Sequence, residues 1–445
     1  MEKKINISCF ILGLLLLNAC TKKLDLQPAQ NISNESALTS DASVKQVLVG
    51  AYDYFSASRL YGGQVLRNAE LFAGEGEYTW TGTFEGPLEI FNRQILTVND
   101  DVTAYWEDAY ITINICNNIL SALSVVTEED RPRIEGEAKF LRAYIYFDLT
   151  RFFGQQYETG LTNDQLAVPL VLQPTVSATD NIGVSRNTVE ECYAQVIADL
   201  NDAESLLPET NGIYANKYAA AAILSRVYLQ KADYTNARDA ADRVISSGHF
   251  ALVSNYADEF ATDDNTTEDI FAIQLSAQDG SNALNEFFST NQYGGRGDIQ
   301  ITTAFYNLYS ADDERRSLYY KLAGKYRTAK FNNQFGNISL IRLAEMYLVR
   351  SECNERLSTA TGAAPVDDYN VVHTRAGLAP AISVTLDDIL FERSLELAHE
   401  GFKLFEVKRL HQNVGAMPYN DPKLVFPIPE REIEVNPNLV QNPGY

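Results

Sequence analysis

Three glutamates, Glu392, Glu396 and Glu400, recur at intervals of four, a spacing that lines carboxylates along one face of an α-helix. Two carboxyl groups flanking a cleft are what glycoside hydrolysis requires. Arg393, Lys403, Lys408 and Arg409 lie in the same stretch, however, so the spacing predicts an ion-paired helix surface rather than a catalytic pair. Glu396-Leu-Ala-His399 also has the Glu-x-x-His spacing of di-iron carboxylate bundles, which need a second such motif and two further glutamates. His249, His373 and His411 have no glutamate three residues before them, so no metal site is expected. HExxH, Walker, GxGxxG, GxSxG and CxxC patterns are absent, and nothing in the sequence supports catalysis or a cofactor.

Aromatic side chains carry the stronger signal. Sugar rings present apolar C–H faces, so aromatic platforms beside amide, carboxylate or guanidinium groups suit glycans by stacking and hydrogen bonding. Trp80, with Tyr78 and Phe84, lies in a glycine-rich stretch and is the first candidate; Tyr293, Arg296 and Asp298, around Gly294-Gly295-Arg296-Gly297, form the second. Local packing is the competing reading for each ring. Trp106, in helical patterning, reads as core. The formal charge of −23 and the lack of a basic stripe argue against nucleic acid, disfavour polyanionic ligands and allow neutral ones.

The elements that must hold these loops are helical. From Glu137 to Phe153 apolar side chains cover most of a helix circumference, which predicts a helix enclosed by neighbours. Asp148 and Arg151, three apart, project into its apolar zone and read as a structural ion pair. Asp130, before Arg131-Pro132, is a plausible N-cap. Residues 217–231 and 235–247 form a helix pair with small residues on the facing sides, a tetratricopeptide-like layout, and 340–356 with 366–375 repeats it. Helices are also predicted from Ser40, over 103–123, over 188–207 and from Thr385 to about Leu410. Residues 56–102 lose the pattern and read as a long loop, and 249–338 as a mixed region with a strand through Phe271 and Ile273. The fold class is therefore mainly α: tetratricopeptide-like helix pairs in a superhelical scaffold, with an irregular loop-rich part containing a few short strands.

The N-terminus bears on location. Lys3 and Lys4 precede an apolar run from Ile5 to Leu17, too short to span a membrane, which reads as a signal peptide over 1–19. Its end, Leu17-Asn-Ala-Cys20, resembles a bacterial lipobox, with lipid on Cys20 and a polar tether over 20–36. Cys116, Cys192 and Cys353 are expected to be buried free thiols.

Several segments together resemble the SusD/RagB family of nutrient-binding outer-membrane lipoproteins. They are the lipobox, Trp106…Tyr110…Asn117, Gly136-Glu-Ala-Lys-Phe-Leu-Arg-Ala-Tyr144 with Phe153-Gly154, and Val168-Pro169-Leu170. Further on come Ile341-Arg-Leu-Ala-Glu-Met-Tyr-Leu-Val-Arg350, Arg375-Ala-Gly-Leu378, Glu392-Arg393…Glu396-Leu397…Glu400-Gly401…Lys408-Arg409, Pro427-Ile-Pro429 and the closing Gln441-Asn-Pro-Gly-Tyr445. The resemblance implies an N-terminal part over 37–248 and a C-terminal part over 249–445, packed as one compact unit. It implies a surface lid on a SusC-like TonB-dependent outer-membrane transporter that captures oligosaccharides, or in some members peptides, and does no chemistry. The rivals are peptide capture, a tetratricopeptide-type scaffold that binds only protein, and a glycoside hydrolase using the Glu392–Glu400 face.

Overall fold

The computed structural model describes residues 38–175, 183–278, 280 and 282–445. The signal peptide, Cys20 and the tether lie outside the described residues. Within them, fifteen α-helices and six short strands follow in order. No described helix is long and apolar enough to cross a membrane.

The first helix, α1 (Asp41–Ser56), starts on a capping box in which Ser40 accepts from the Ser43 amide. After α1 come α2 (Gln64–Ala73), strand β1 (Tyr78–Trp80) and α3 (Glu85–Asn92), all within the stretch expected to be a long loop. The periodicity failed at α2 because Arg67, Asn68 and Glu70 are as buried as its apolar residues, which erases any polar face. Helix α4 (Asp100–Ser121) then leads into α5 (Arg131–Phe153), the enclosed helix that the sequence predicts. Even its narrow polar sector is used. Arg142 makes a two-nitrogen contact with Asp199, and the Tyr146 hydroxyl donates to the Val171 carbonyl at 2.9 Å while accepting from its amide at 2.7 Å. Asp148 and Arg151 pair inside, with the Arg151 guanidinium between the rings of Phe147 and Phe405. Asp130 occupies the N-cap position, but its carboxylate caps nothing; it holds Lys45 and Arg133 instead.

The helical shell runs α5, α6 (Val189–Leu206), α7 (Lys217–Gln230) and α8 (Tyr234–Ser246), each packed on the one before. Ala219 to Ala222 on α7 and Ala237, Ala240 and Ala241 on α8 are fully buried, so small side chains let the two backbones approach. After strand β2 (Asp269–Ile273), α9 (Ala283–Phe288), β3 (Ile299–Ile301), α10 (Thr303–Tyr306), β4 (Tyr319–Leu322), β5 (Lys325–Thr328) and β6 (Ile338–Arg342), the second pair follows as α11 (Leu343–Leu357) and α12 (Pro365–Arg375). Packing of α8 on α11 joins the two pairs into one superhelical layer. The first turn expected of α11 belongs to β6, which pairs antiparallel with β2.

The long helix expected from Thr385 to Leu410 is two helices, α13 (Leu386–Glu396) and α14 (Lys403–Arg409). The break carries His399 at φ 71° and Gly401 at φ 88°, left-handed positions that end one helix and start another. The last helix is α15 (Glu430–Val435).

A four-stranded sheet, order β1-β3-β5-β4, lies beside the shell. It takes β1 from the N-terminal part and the other three from the C-terminal part, so the two parts interlock. Trp80 stands opposite Ile299, Tyr78 opposite Ile301, and Ile301 opposite Tyr326. Ala323 and Gly324, both at positive φ, make the two-residue turn between β4 and β5.

Candidate functional site

Pairing of β1 with β3 brings the two aromatic loops of the sequence together, although about two hundred residues separate them. Thr81 donates its amide to the Asp298 carbonyl at 2.8 Å, and the Thr81 hydroxyl reaches the same oxygen. Arg296 Nε donates to Asp298 Oδ2 at 2.8 Å and its Nη2 to the Thr83 hydroxyl at 3.2 Å. The Arg296 guanidinium carbon then lies 4.2 Å from the centroid of the Phe84 ring. Phe84 is 43% exposed and Arg296 is exposed too, so the outermost layer is an aromatic ring covered by a cation. An aromatic face and a guanidinium with a fixed carboxylate partner are groups that stack on and hydrogen-bond to a polyhydroxylated ligand.

Beneath that layer the site is packed. Trp80 is 9% exposed and stacks on Phe287, centroids 6.0 Å apart, and Phe84 meets the same Phe287 edge-on. Phe287, unremarked in the sequence beyond its aromatic richness, is thus the floor of the site, with Arg67 against its ring. The indole Nε1 of Trp80 has no partner among the described residues, an unmet donor at the boundary between floor and surface. Gly82 is required here: a Cβ would stand 2.5 Å from the Trp80 ring and 2.6 Å from Asp298 Cγ. Tyr293 is half-buried, and its ring contact is with Tyr320, at a centroid distance of 6.0 Å.

Tyr78 does not face outward. It is 3% exposed, and its hydroxyl lies 2.6 Å from both Glu70 Oε2 and His399 Nδ1. The expectation that it sits on the binding surface with Trp80 is corrected by strand geometry. Tyr78 and Trp80 share the inner face of β1, and Thr79 between them turns outward. Burial first, and Lys330 second, push the His399 pKa well below its ordinary value, so the ring is neutral and serves as a hydrogen-bonding link between Tyr78 and Tyr319.

The carboxylates that opened the sequence reading are not on a surface. Glu392, Glu396 and Glu400 are 2%, 0% and 8% exposed, and their partners come from other elements. Arg315 Nη1 binds Glu392 at 2.6 Å; Arg342 Nη1 binds Glu396 at 2.9 Å and its Nε binds Glu400 at 2.8 Å; Arg375 Nη2 binds Glu396 at 2.5 Å. Burial alone would raise Glu396, but Arg375, Arg342, Arg315 and Lys330 outweigh it and hold its pKa at about 2. A carboxylate so held is neither a proton donor near neutral pH nor free to flank a substrate. The correction to the predicted ion-paired surface follows from the partners: Arg393 and Arg409 turn instead to Glu345, Glu352 and Glu406. Among the described residues no group of three or more His, Cys, Asp or Glu side chains is placed to hold a metal ion. Cys116, Cys192 and Cys353 are buried thiols without disulfides. A cavity of about 310 Å³ opens elsewhere, between α13 and α14, lined by Phe391, Leu397, Phe402 and Lys403.

With this geometry in place, the chain can be set beside known proteins. Residues 22–229 match a family described as "Starch-binding associating with outer membrane", and residues 318–445 match one described as "SusD family". SusD-like protein P2 of Formosa agariphila is 25% identical over 522 aligned positions that span all of both chains. A putative sugar binding protein from Bacteroides vulgatus has a solved structure that superposes with a TM-score of 0.82 at 27% identity, covering 92% of this chain and 99% of that one. A SusD superfamily protein from Bacteroides thetaiotaomicron gives 0.81 at 25% identity, covering 91% and 100%. The helical shell, the interlocked sheet and the sequence matches at both ends agree: the chain belongs to the SusD/RagB family.

Proposed function

We propose that the protein is a lipid-anchored, surface-facing outer-membrane lipoprotein that captures oligosaccharide and acts as the lid of a SusC-like TonB-dependent transporter, without catalysing any reaction. Family membership supports the nutrient-binding role. The observation that carries the ligand class is the convergence of two distant loops into one exposed layer, Phe84 under the Arg296–Asp298 pair with Trp80 and Phe287 beneath. An exposed phenylalanine beside a guanidinium held by Asp298 and Thr83 offers apolar surface and hydrogen-bonding edges together, which suits a ligand with apolar faces and hydroxyl edges.

Calorimetry with a panel of oligosaccharides and mixed peptides tests the reading. Saccharide binding that is lost in Phe84→Ala and in Arg296→Ala, with melting unchanged, supports it. Binding of peptides alone would move the ligand to the peptide class. Product released from a saccharide would reinstate the hydrolase. Co-purification of a large β-barrel from detergent extracts is the expected result for the partner, and lipid on Cys20 is checked by mass spectrometry of the mature chain.

A further inference from the structure

A second aromatic feature lies on the same sheet. Tyr306, at the end of α10, and Tyr326, on β5, stack with centroids 3.9 Å apart and planes 19° apart. The guanidinium carbon of Arg316 lies 4.5 Å from the Tyr306 centroid, and Lys321 Nζ lies 4.5 Å from that of Tyr326. At 3.9 Å the two rings leave no room between them, so each cation covers an outer face. The result is a four-layer stack: Arg316, Tyr306, Tyr326, Lys321. Its construction is local. Lys321 is the cross-strand partner of Tyr326, and Arg316 Nε donates to the Tyr306 hydroxyl at 3.1 Å.

The charges on this stack are unmatched. Among the described residues neither Arg316 nor Lys321 has a carboxylate within 4.0 Å, although Asp312 and Glu314 precede Arg316 in the chain. Lys325, exposed at the same hairpin, has none either. Many cations elsewhere do hold a carboxylate, among them Lys45, Arg59, Lys139, Arg243 and Lys403, whereas Lys423, exposed over the Tyr445 ring, does not. In a chain with a formal charge of −23, carboxylates are plentiful, and cations without one at both ends of an aromatic stack are open to negative charge on a ligand. The net charge does not forbid this. At physiological ionic strength charges more than about 8 Å apart are largely screened, so the nearest cations decide the local interaction.

The stack and the proposed saccharide surface are carried by one sheet. Tyr326 stands opposite Ile301, and β3 borders β1, which ends at Trp80. Strand β5 therefore lies two strand spacings, about 10 Å, from β1. Arg327 Nη1 donates to the carbonyls of Gly297 and Ile299 at 2.6 and 2.8 Å, tying the hairpin to the loop that carries Arg296.

We propose that the ligand of this surface is an anionic oligosaccharide, carrying carboxylate or sulfate groups. Arg316 and Lys321 take the anionic substituents while the Phe84 layer takes a sugar face. This deepens, and rests on, the saccharide-binding reading above. It departs from the expectation from net charge that polyanionic ligands are disfavoured, because that expectation averages over the whole surface and not over the cations nearest the ligand.

The test is calorimetry on the full-length mature protein with two matched pairs of probes: an oligogalacturonate tetramer against its methyl ester, and a sulfated galactan tetramer against its desulfated form. At least one anionic probe is expected to bind on the order of tenfold more tightly than its neutral counterpart. That gap is expected to close in Arg316→Gln/Lys321→Gln, to narrow in the exposed single variant Lys321→Gln, and to shrink at about 0.5 M salt. The choice of carboxylate or sulfate is read from which pair shows the gap. Equal or tighter binding of both neutral forms, or a gap untouched by the double variant, overturns this inference and leaves the saccharide reading intact. Peptide binding with no affinity for any saccharide overturns both.

Discussion

The Tyr78 hydroxyl lies 2.6 Å from Glu70 Oε2 and, on its other side, the same distance from His399 Nδ1. From His399 the chain of contacts continues through Nε2 to the Tyr319 hydroxyl at 2.9 Å, to the Tyr309 hydroxyl at 3.1 Å and to the Leu395 carbonyl at 3.0 Å. Each hydroxyl has one proton, and the neutral imidazole has one. These five contacts share four protons: when Tyr78 donates to Glu70 Oε2 and Tyr309 to Leu395, one of the contacts between them lacks a hydrogen. All five are hydrogen bonds only when Glu70 carries a further proton and Tyr78 turns its own to His399. Burial raises the Glu70 pKa, in the direction this ordering requires. Its Oε1 meanwhile accepts the amides of Gly401, Phe402 and Lys403, at 2.8, 2.9 and 3.3 Å, at the start of α14.

Glu70→Gln is therefore expected to be mild, about 1 kcal/mol or less, because an amide N–H replaces the carboxyl proton and the amide oxygen still accepts at α14. Glu70→Ala, which leaves three backbone amides without their acceptor and Tyr78 with one partner fewer, is expected to cost about 2–4 kcal/mol. Urea unfolding of both variants checks this. A glutamine variant as damaged as the alanine one would mean that Glu70 is ionised.

His399 gives a pH dependence. Its folded pKa lies well below its ordinary 6.5, chiefly through burial. A depressed pKa contributes stability that is present above the unfolded value and lost as pH falls, so unfolding should become easier from about pH 6.5 downward. Glu396 and Glu406, both held at about 2, add their loss only below the unfolded carboxylate value of 4.5. His399→Asn tolerates the left-handed φ and removes the titration. Plotted against pH, its urea midpoint should lose the decline between 6.5 and 5 and keep the one below 4.5. A variant curve parallel to wild type across both ranges would contradict the assignment.

Arg342 and its carboxylates make the largest stability prediction. The side chain is 1% exposed and binds Glu268, Glu396 and Glu400 at 2.6 to 2.9 Å. Removing one member of a buried ionic set leaves the others charged and unpaired, which costs about 3–5 kcal/mol. Arg342→Met should show a loss of that size in urea; if it fails to accumulate, Glu400→Gln at the edge of the set should show a smaller one. Changes below about 1 kcal/mol in both would mean that the set adds little.

What the sequence could convey follows the range of the interactions. The α5 helix and the two helix pairs were legible because their signal is periodic and local: Leu141, Ile145 and Leu149 repeat on one face, and alanines line α7 and α8. The Glu392–Glu400 set was legible as ionic but not as buried, because Arg315 and Arg342 lie 77 and 54 residues from their glutamates. Helix α2 was hidden for the same reason, with Arg67 reaching Asp101 on α4. Both aromatic loops were found separately; that they form one surface depends on β1 pairing with β3, which no local pattern encodes. Tyr78 was grouped with Trp80 by proximity in sequence, whereas its hydroxyl belongs to the interior chain of contacts.

Gly82 offers the last prediction, and it separates site from scaffold. It lies between β1 and Phe84, and a Cβ there would fall 2.5 Å from Trp80 Cζ2 and 2.6 Å from Asp298 Cγ. Contacts that short force movement, and both neighbours belong to the proposed site. Its backbone is not in the left-handed region, so an alanine suffers no conformational strain, and the effect is confined to displacement of the ring and the carboxylate. Asp298 also holds Arg296, so its displacement takes the cation off the Phe84 ring. Gly82→Ala is expected to lower saccharide affinity on the order of tenfold or more while costing about 1–2 kcal/mol in stability. Gly76, at positive φ with open space around it, serves as the control: Gly76→Ala should affect stability through backbone strain and leave affinity unchanged. Calorimetry and melting on the two variants read both quantities. Full affinity in Gly82→Ala would show that the Trp80–Asp298–Arg296 arrangement is not what the ligand contacts.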